Sequence, residues 1–213
     1  MSNDFDKTKG HIISRRMFKY PISGEAPGIP PVDAVTWDSE NIGSNLLLSN
    51  NDLTVEHSSA LTNYEQVFAT EGKSSGKYYF EVLVDDNSGG NNSVGVQNGS
   101  ESLEVYLGDT ADGWGYMSTN RYYNSSSFSG LGYYVTGDVI QVAVDLDNGK
   151  IWWGLNNSWE GAPSTGTDAC YSNLSGTIYP AVSLRHTVSE LTGRFKAADL
   201  DYTPPSGFSA WES

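Results

Sequence analysis

From about Val35 onward, apolar and polar residues alternate in short runs separated by turn-forming residues. LLLS begins at Leu46, and in the following LTVEH Leu53, Val55 and His57 share one side. KYYFEVLV places Tyr78, Phe80, Val82 and Val84 on one face and Tyr79, Glu81 and Leu83 on the other. SVGVQ, LEVYL, IQVAVDL, KIWWGL, IYPAVSL and TGRFK continue the series at spacings of roughly 8 to 15 residues. Period-2 runs at such spacing predict an all-β chain, an antiparallel two-sheet β-sandwich. No stretch carries the 3.6-residue period of an amphipathic helix.

The clearest run is GDVIQVAVDLDNGKIWWGLNNSW, Gly137 to Trp159. Ile140, Val142, Val144 and Leu146 form one face, and Asn148-Gly149 predicts a tight hairpin turn with both residues at positive φ. Ile151, Trp153 and Leu155 continue that face on the return strand. Trp152 and Trp153 point to opposite faces, so at most one belongs to the core while the other meets loops or a second layer.

Residues 1 to 34 break the pattern. Pro21, Pro27, Pro30 and Pro31 fix φ and remove amide donors, which excludes a core helix or central strand and predicts an extended N-terminal arm. Within it, Ile12, Ile13, Met17, Phe18 and Tyr20 stand among Arg15, Arg16 and Lys19, a partner-anchoring composition. The chain therefore divides into an arm (1–34), a sandwich (35–200) and a C-terminal tail (201–213) that packs on the sandwich or extends from it.

Composition agrees with many-turned β structure: among 213 residues, charged side chains are 18%, aromatic ones 12%, and there are 23 Gly. Charge adds a polarity. Residues 1–20 hold five basic and two acidic side chains, net +3; the rest hold seven and 24, net −17. An acidic body excludes binding to a nucleic-acid backbone, and a basic arm points to an acidic partner surface. The lone Cys170 excludes an internal disulfide framework and a Cys-based zinc site. No apolar stretch follows Met1 and no run of 18 apolar residues occurs, which predicts neither a secretory signal nor a membrane span.

Catalytic and metal chemistry fail on spacing. Asp145, Asp147 and Gly149 resemble the start of a calcium loop, but the twelfth position is Asn156 and apolar residues intervene, so no metal site is expected. Glycoside hydrolysis needs two carboxylates about 5–9 Å apart; Glu81 stands alone, Asp85-Asp86 ends a strand, and Glu101 and Glu104 would face opposite ways. His11, His57 and His186 lack the surroundings of a nucleophilic triad, and GKSSGK from Gly72 lacks the helix of a phosphate loop. The chain is expected to be no enzyme and to need no cofactor. What remains is aromatic. Tyr122, Tyr123 and Phe128 in STNRYYNSSSFSG, and Trp159 in NNSWEGAPSTGTD, sit among Asn, Ser and Gly, the composition of adaptable recognition loops. They are the candidate ligand-binding residues. A loop folded back over the sandwich would have the same composition.

GKYYFEV, SVGV, GDVIQVAVDLDNGKIWWGLNN and IYPAVSL together resemble the SPRY domain, a concanavalin-like bent β-sandwich, over about Val35 to Lys196. Trp-Trp stands where Phe-Tyr is commoner. The flanks VTWDSENIGSNLLLSNNDLTV and YTPPSGFSAW are similar to SPRY domains of bacteriophage structural proteins. The resemblance implies a non-catalytic binding module with loops at one end. It points to a virion component: an arm reaching on the order of 100 Å at ~3.3 Å per residue anchors it to other virion proteins, within an oligomeric assembly. Its loops would serve decoration or meet a host-surface glycan or protein. A free-standing lectin and a peptide-binding intracellular adaptor are the alternatives.

Overall fold

A computed structural model describes residues 34–58 and 63–212. The arm residues Ile12, Ile13, Arg15, Arg16, Met17, Phe18, Lys19 and Tyr20 lie outside them. The strands are β1 Trp37–Ile42, β2 Leu46–Ser49, β3 Thr54–His57, β4 Glu65–Ala69, β5 Lys77–Asn87, β6 Ser93–Gln97, β7 Gly113–Met117 and β8 Asn120–Tyr123. They continue with β9 Ser126–Ser129, β10 Val139–Asp145, β11 Lys150–Leu155, β12 Ser158–Trp159, β13 Tyr179–Leu184, β14 Ser189–Arg194 and β15 Ser209–Ala210. Among the described residues two short 3-10 turns interrupt them, at Pro163–Thr165 and Ala197–Asp199.

The strands form two sheets, ordered β1-β4-β13-β6-β7-β8-β9 and β12-β11-β10-β5-β14-β3-β2. All pairings are antiparallel except that of β15, which runs parallel to β5 beyond the end of β14. The fold is thus an all-β sandwich, as the alternation requires. The inward faces meet in one core that includes Phe80, Val82, Val84, Val94, Val96, Ile140, Val142, Val144, Ile151, Trp153 and Val182. Burying such side chains contributes about 1.5–3 kcal/mol each, the main favourable term of the fold.

The central hairpin departs from the expected turn. Asp145 pairs with Lys150, so four residues, Leu146–Gly149, connect the strands, and of the Asn148-Gly149 pair only Gly149 has positive φ (63°). The reason is the Asp145 carboxylate, which accepts from the Asn148 amide (3.1 Å) and Nδ2 (2.9 Å), and from Lys77 (3.0 Å). Asp147 is also committed, accepting from the Gly76 amide at 2.8 Å.

Both tryptophans of this hairpin are fully buried. Trp153 enters the main core and donates to the Val94 carbonyl. Trp152 lies beneath a second layer with Tyr79, Ala143 and Phe208. That layer is the chain's last segment. Glu81 is buried on the same outer face and accepts from Tyr79 Oη (2.5 Å) and from the amides of Asp201 (2.7 Å) and Tyr202 (2.9 Å). Arg194 approaches it at 3.7 Å. Gln141 extends the chain of polar contacts, donating to Tyr79 Oη and accepting from the Asn157 amide. Burial and the Glu81 hydrogen bond raise the Tyr79 pKa far above its ordinary value. A sheet face that would meet water is therefore interior, and the carboxylate that stood alone in the sequence is what ties the C-terminal segment down.

LEVYL, expected as a strand, is a run of turns. Both edges of β6 are already paired, with β13 and β7, so no edge is open to it. Buried Glu101 instead curls the segment, accepting from the amide of Thr110 (3.0 Å) and from Gln66 (3.2 Å). Burial pushes the Glu101 carboxyl up from its ordinary range, against the pull of those hydrogen bonds.

Candidate interaction surface

Strand directions define two poles. At one, Val35 and the C-terminal segment meet: the Val35 amide donates to Glu212 Oε2 at 2.9 Å, and Trp211 is buried against Tyr78 and Phe80. At the other, the loops 88–92, 130–138 and 185–188 leave the ends of β5, β10, β13 and β14. The eleven residues of β5 run between the poles, about 35 Å at 3.4 Å each.

The loop pole is held by buried polar contacts. Asn87 donates to the Tyr134 carbonyl (3.0 Å) and accepts from Asn92 (3.0 Å), while Tyr134 Oη donates to the Asn92 carbonyl. The Asn87 backbone amide also donates to Thr136 Oγ1 (3.0 Å). Asp138, of the Gly-Asp that opens β10, accepts from the Val135 amide (2.7 Å) and from Asn156 Nδ2 (2.7 Å). Asn156 Oδ1 in turn accepts from the Val139 amide (2.9 Å). The Gly-Asp and Asn positions of the sequence motif are thus one clamp.

On this frame sit exposed apolar side chains. Tyr133 is 53% exposed, Val135 51% and Val188 47%. Tyr133 Oη lies over Gly90, and His186 lies against Gly89, so the two rings flank a glycine floor without side chains of its own. Tyr134, one residue on, is buried, because in an extended segment successive side chains point to opposite faces. Tyr133 and Val135 on loop 130–138 and Val188 on loop 185–188 give this pole exposed apolar surface of a kind suited to contact with a protein.

The sequence-predicted residues fall elsewhere and do not form one platform. Tyr122 and Tyr123 lie on β8 and Phe128 on β9, so this stretch is a β-hairpin and not an irregular loop. The turn is made by Asn124 and Ser125, both at positive φ, which is what its Asn-Ser composition encodes. Tyr123 stacks on Trp114 (5.4 Å, 15° between planes), and Tyr122 packs on Tyr106 from the opposite face of the sheet. Trp159 is on β12, at the edge of the other sheet, half-buried against Tyr79. Phe128 alone is largely exposed, at 57%, and borders a groove of about 470 Å³ with Arg121 and the stretch Ala169–Asn173. The aromatic richness is spent on the interior: Trp37, Trp114, Trp152, Trp153 and Trp211 are all essentially buried. Tyr133, Val135 and Val188, exposed apolar side chains at the loop pole, are not among the residues that the sequence singled out. The available signal was the apolar trio in LGYYVTGD, held between Gly132 and Gly137 just before a strand.

A two-sheet antiparallel sandwich with a closed core and loop-borne apolar side chains at one pole is the architecture of a recognition module. The family model described as SPRY domain matches residues 77–195, from β5 to β14, and the chain belongs to that family, whose members are protein-interaction modules. The crystal structure of the SPRY domain of human HERC1 has the same fold, with a TM-score of 0.62 at 22% identity; the likeness covers 78% of this chain and 99% of that one. Strands β1 to β4 and β15 lie outside the family match yet are paired into the two sheets.

Proposed function

We propose that this chain is a non-enzymatic binding module held in a larger assembly: a bacteriophage virion structural protein, assembled in the host cytoplasm. Residues 1 to about 34 fix it to a capsid, neck or tail partner, and its loop pole faces outward for decoration or host-surface attachment. The observation that carries this reading is the opposition of the poles. The chain enters the sandwich at Val35, beside Glu212, while Tyr133, Val135 and Val188 lie at the far end of β5. A tether at one pole leaves the other free for a second partner. The basic composition of residues 1–20 supports docking on other virion proteins, and the flanks' similarity to bacteriophage SPRY domains supports the setting.

A lectin would need an aromatic platform, and Tyr122, Tyr123 and Trp159 are divided among different faces. A peptide-binding adaptor would use the same loop patch, and the family's general role supports that reading. Deleting residues 1–34 separates the two. A virion component lacking its arm stays folded and soluble but is missing from purified particles; an adaptor keeps its partner. Unchanged incorporation of the truncated chain refutes the tether. Tyr133→Ser with Val188→Ser is expected to leave incorporation intact and to abolish the outward contact.

A further inference from the structure

We infer that the open edge of β9 and the groove beside it take an extended, cationic peptide from a partner protein by strand addition. This site is separate from the loop-pole patch and does not rest on the tether. Among the described residues β9 is the last strand of its sheet, and all four of its residues, Ser126–Ser129, are exposed. Edge strands are ordinarily blunted by charge, proline or a bulge; β9 reads SSFS and pairs with β8 in unbroken register.

The phase of that pairing shows which main-chain groups are open. Gly130 donates to the Thr119 carbonyl at 2.9 Å, so residues 126, 128 and 130 turn their amides and carbonyls toward β8. Ser127 presents both of its groups outward, and Ser129 its amide, since its carbonyl accepts from Arg121 Nη2 at 2.9 Å. A peptide laid along this edge gains main-chain hydrogen bonds there.

Its side chains are received as well. Phe128 shares a face with Arg121, the face on which Ala169–Asn173 close the groove. Alternate side chains of an added strand fall on that face, beside the Phe128 ring, and a volume of about 470 Å³ holds one or two of them. Charge selects the partner. Arg121 is neutralised by Glu160 at 3.0 Å, Asp109 sits at the β8–β9 turn, and exposed Asp168 adjoins the groove wall. From residue 34 onward the chain has seven basic and 22 acidic side chains. The occupant is therefore extended, with apolar side chains on one face and Lys or Arg on the other.

The test uses the full chain and a fluorescein-labelled ten-residue peptide of alternating Val and Lys, followed by anisotropy in 150 mM salt. Binding is expected, and the same peptide N-methylated at alternate residues, which cannot donate to the edge, should bind at least tenfold more weakly. Phe128→Ser, an exposed change that the fold tolerates, should weaken binding at least fivefold, whereas Tyr133→Ser with Val188→Ser should leave it unchanged. Equal binding of the N-methylated peptide would reduce the interaction to charge and overturn the proposal, as would wild-type affinity in Phe128→Ser. Absence of peptide binding together with Phe128-dependent self-association in sedimentation would replace the peptide by a second copy, and also overturn it.

Discussion

Glu81→Ala is the most informative single perturbation of the scaffold. The carboxylate is fully buried between the eight-stranded sheet and the C-terminal segment, and it accepts from Tyr79 Oη and from the amides of Asp201 and Tyr202. Truncation leaves these donors without an acceptor and removes the buried partner of Arg194, which keeps its exposed ion pair with Asp201. An orphaned buried donor costs about 1–3 kcal/mol, and losing one member of a buried charged group about 3–5 kcal/mol. Because Arg194 keeps Asp201 and the segment can lift to admit water, the donors do not all add; about 3–5 kcal/mol is the expected total. For a domain of this size that is a fall in melting temperature of about 6–20 °C. Urea unfolding read by tryptophan fluorescence measures it, because Trp152 is covered by this segment and Trp211 belongs to it. Hydrogen exchange localises it: the amides of Asp201 and Tyr202 should lose protection before those of β10. A loss below about 1 kcal/mol, or protection lost uniformly, would refute the view that Glu81 fastens the C-terminal segment.

Other outcomes test separate parts of the fold. Glu190 stands opposite Glu56 and Asp86 across its strand pairs, and its carboxyl is raised by burial and by the charges of Asp85, Glu56 and Asp86. Its raised folded pKa means stability present below the ordinary glutamate range and lost as pH rises through the raised value. Glu190→Gln should therefore stabilise by about 0.5 kcal/mol at pH 7, less in 0.5 M salt and not at all below pH 4; a gain indifferent to salt and pH contradicts this. Gly149→Ala should cost about 2 kcal/mol, since φ is 63° and a β-carbon would meet the Leu174 carbonyl oxygen at 2.6 Å; an unchanged urea midpoint would refute it. Burial pushes the Cys170 thiol up to about 11, so a disulfide reagent at pH 8 should label it slowly in the native chain and at once in guanidinium. Rapid native labelling would show that the segment 169–173 opens.

The fold was legible because period-2 alternation is a one-dimensional record of a two-faced strand. Phe80, Val82 and Val84, and Ile140, Val142 and Val144, point into the core as their spacing requires. Where the reading failed, the cause was an interaction distant in sequence or a capture by a side chain. LEVYL alternates like a strand, but β6 had no free edge and Glu101 had turns to gather. Asn148-Gly149 reads as a two-residue turn until Asp145 takes hold of Asn148. Tyr122, Tyr123 and Trp159 look like loop aromatics because their neighbours are Asn and Ser, residues that here make the turns of short edge strands.

Sequence alone determined the sandwich and its main hairpin, since these follow from local periodicity and turn chemistry. Only the tertiary structure decided which aromatics are exposed. Burial is a property of what covers a side chain, and the cover over Trp152 comes from Phe208, more than fifty positions away. The same holds for the loop pole: Tyr133 and Tyr134 are chemically alike and adjacent, and the Asn87–Asn92 contacts hold the segment so that one ring is buried and the other is exposed.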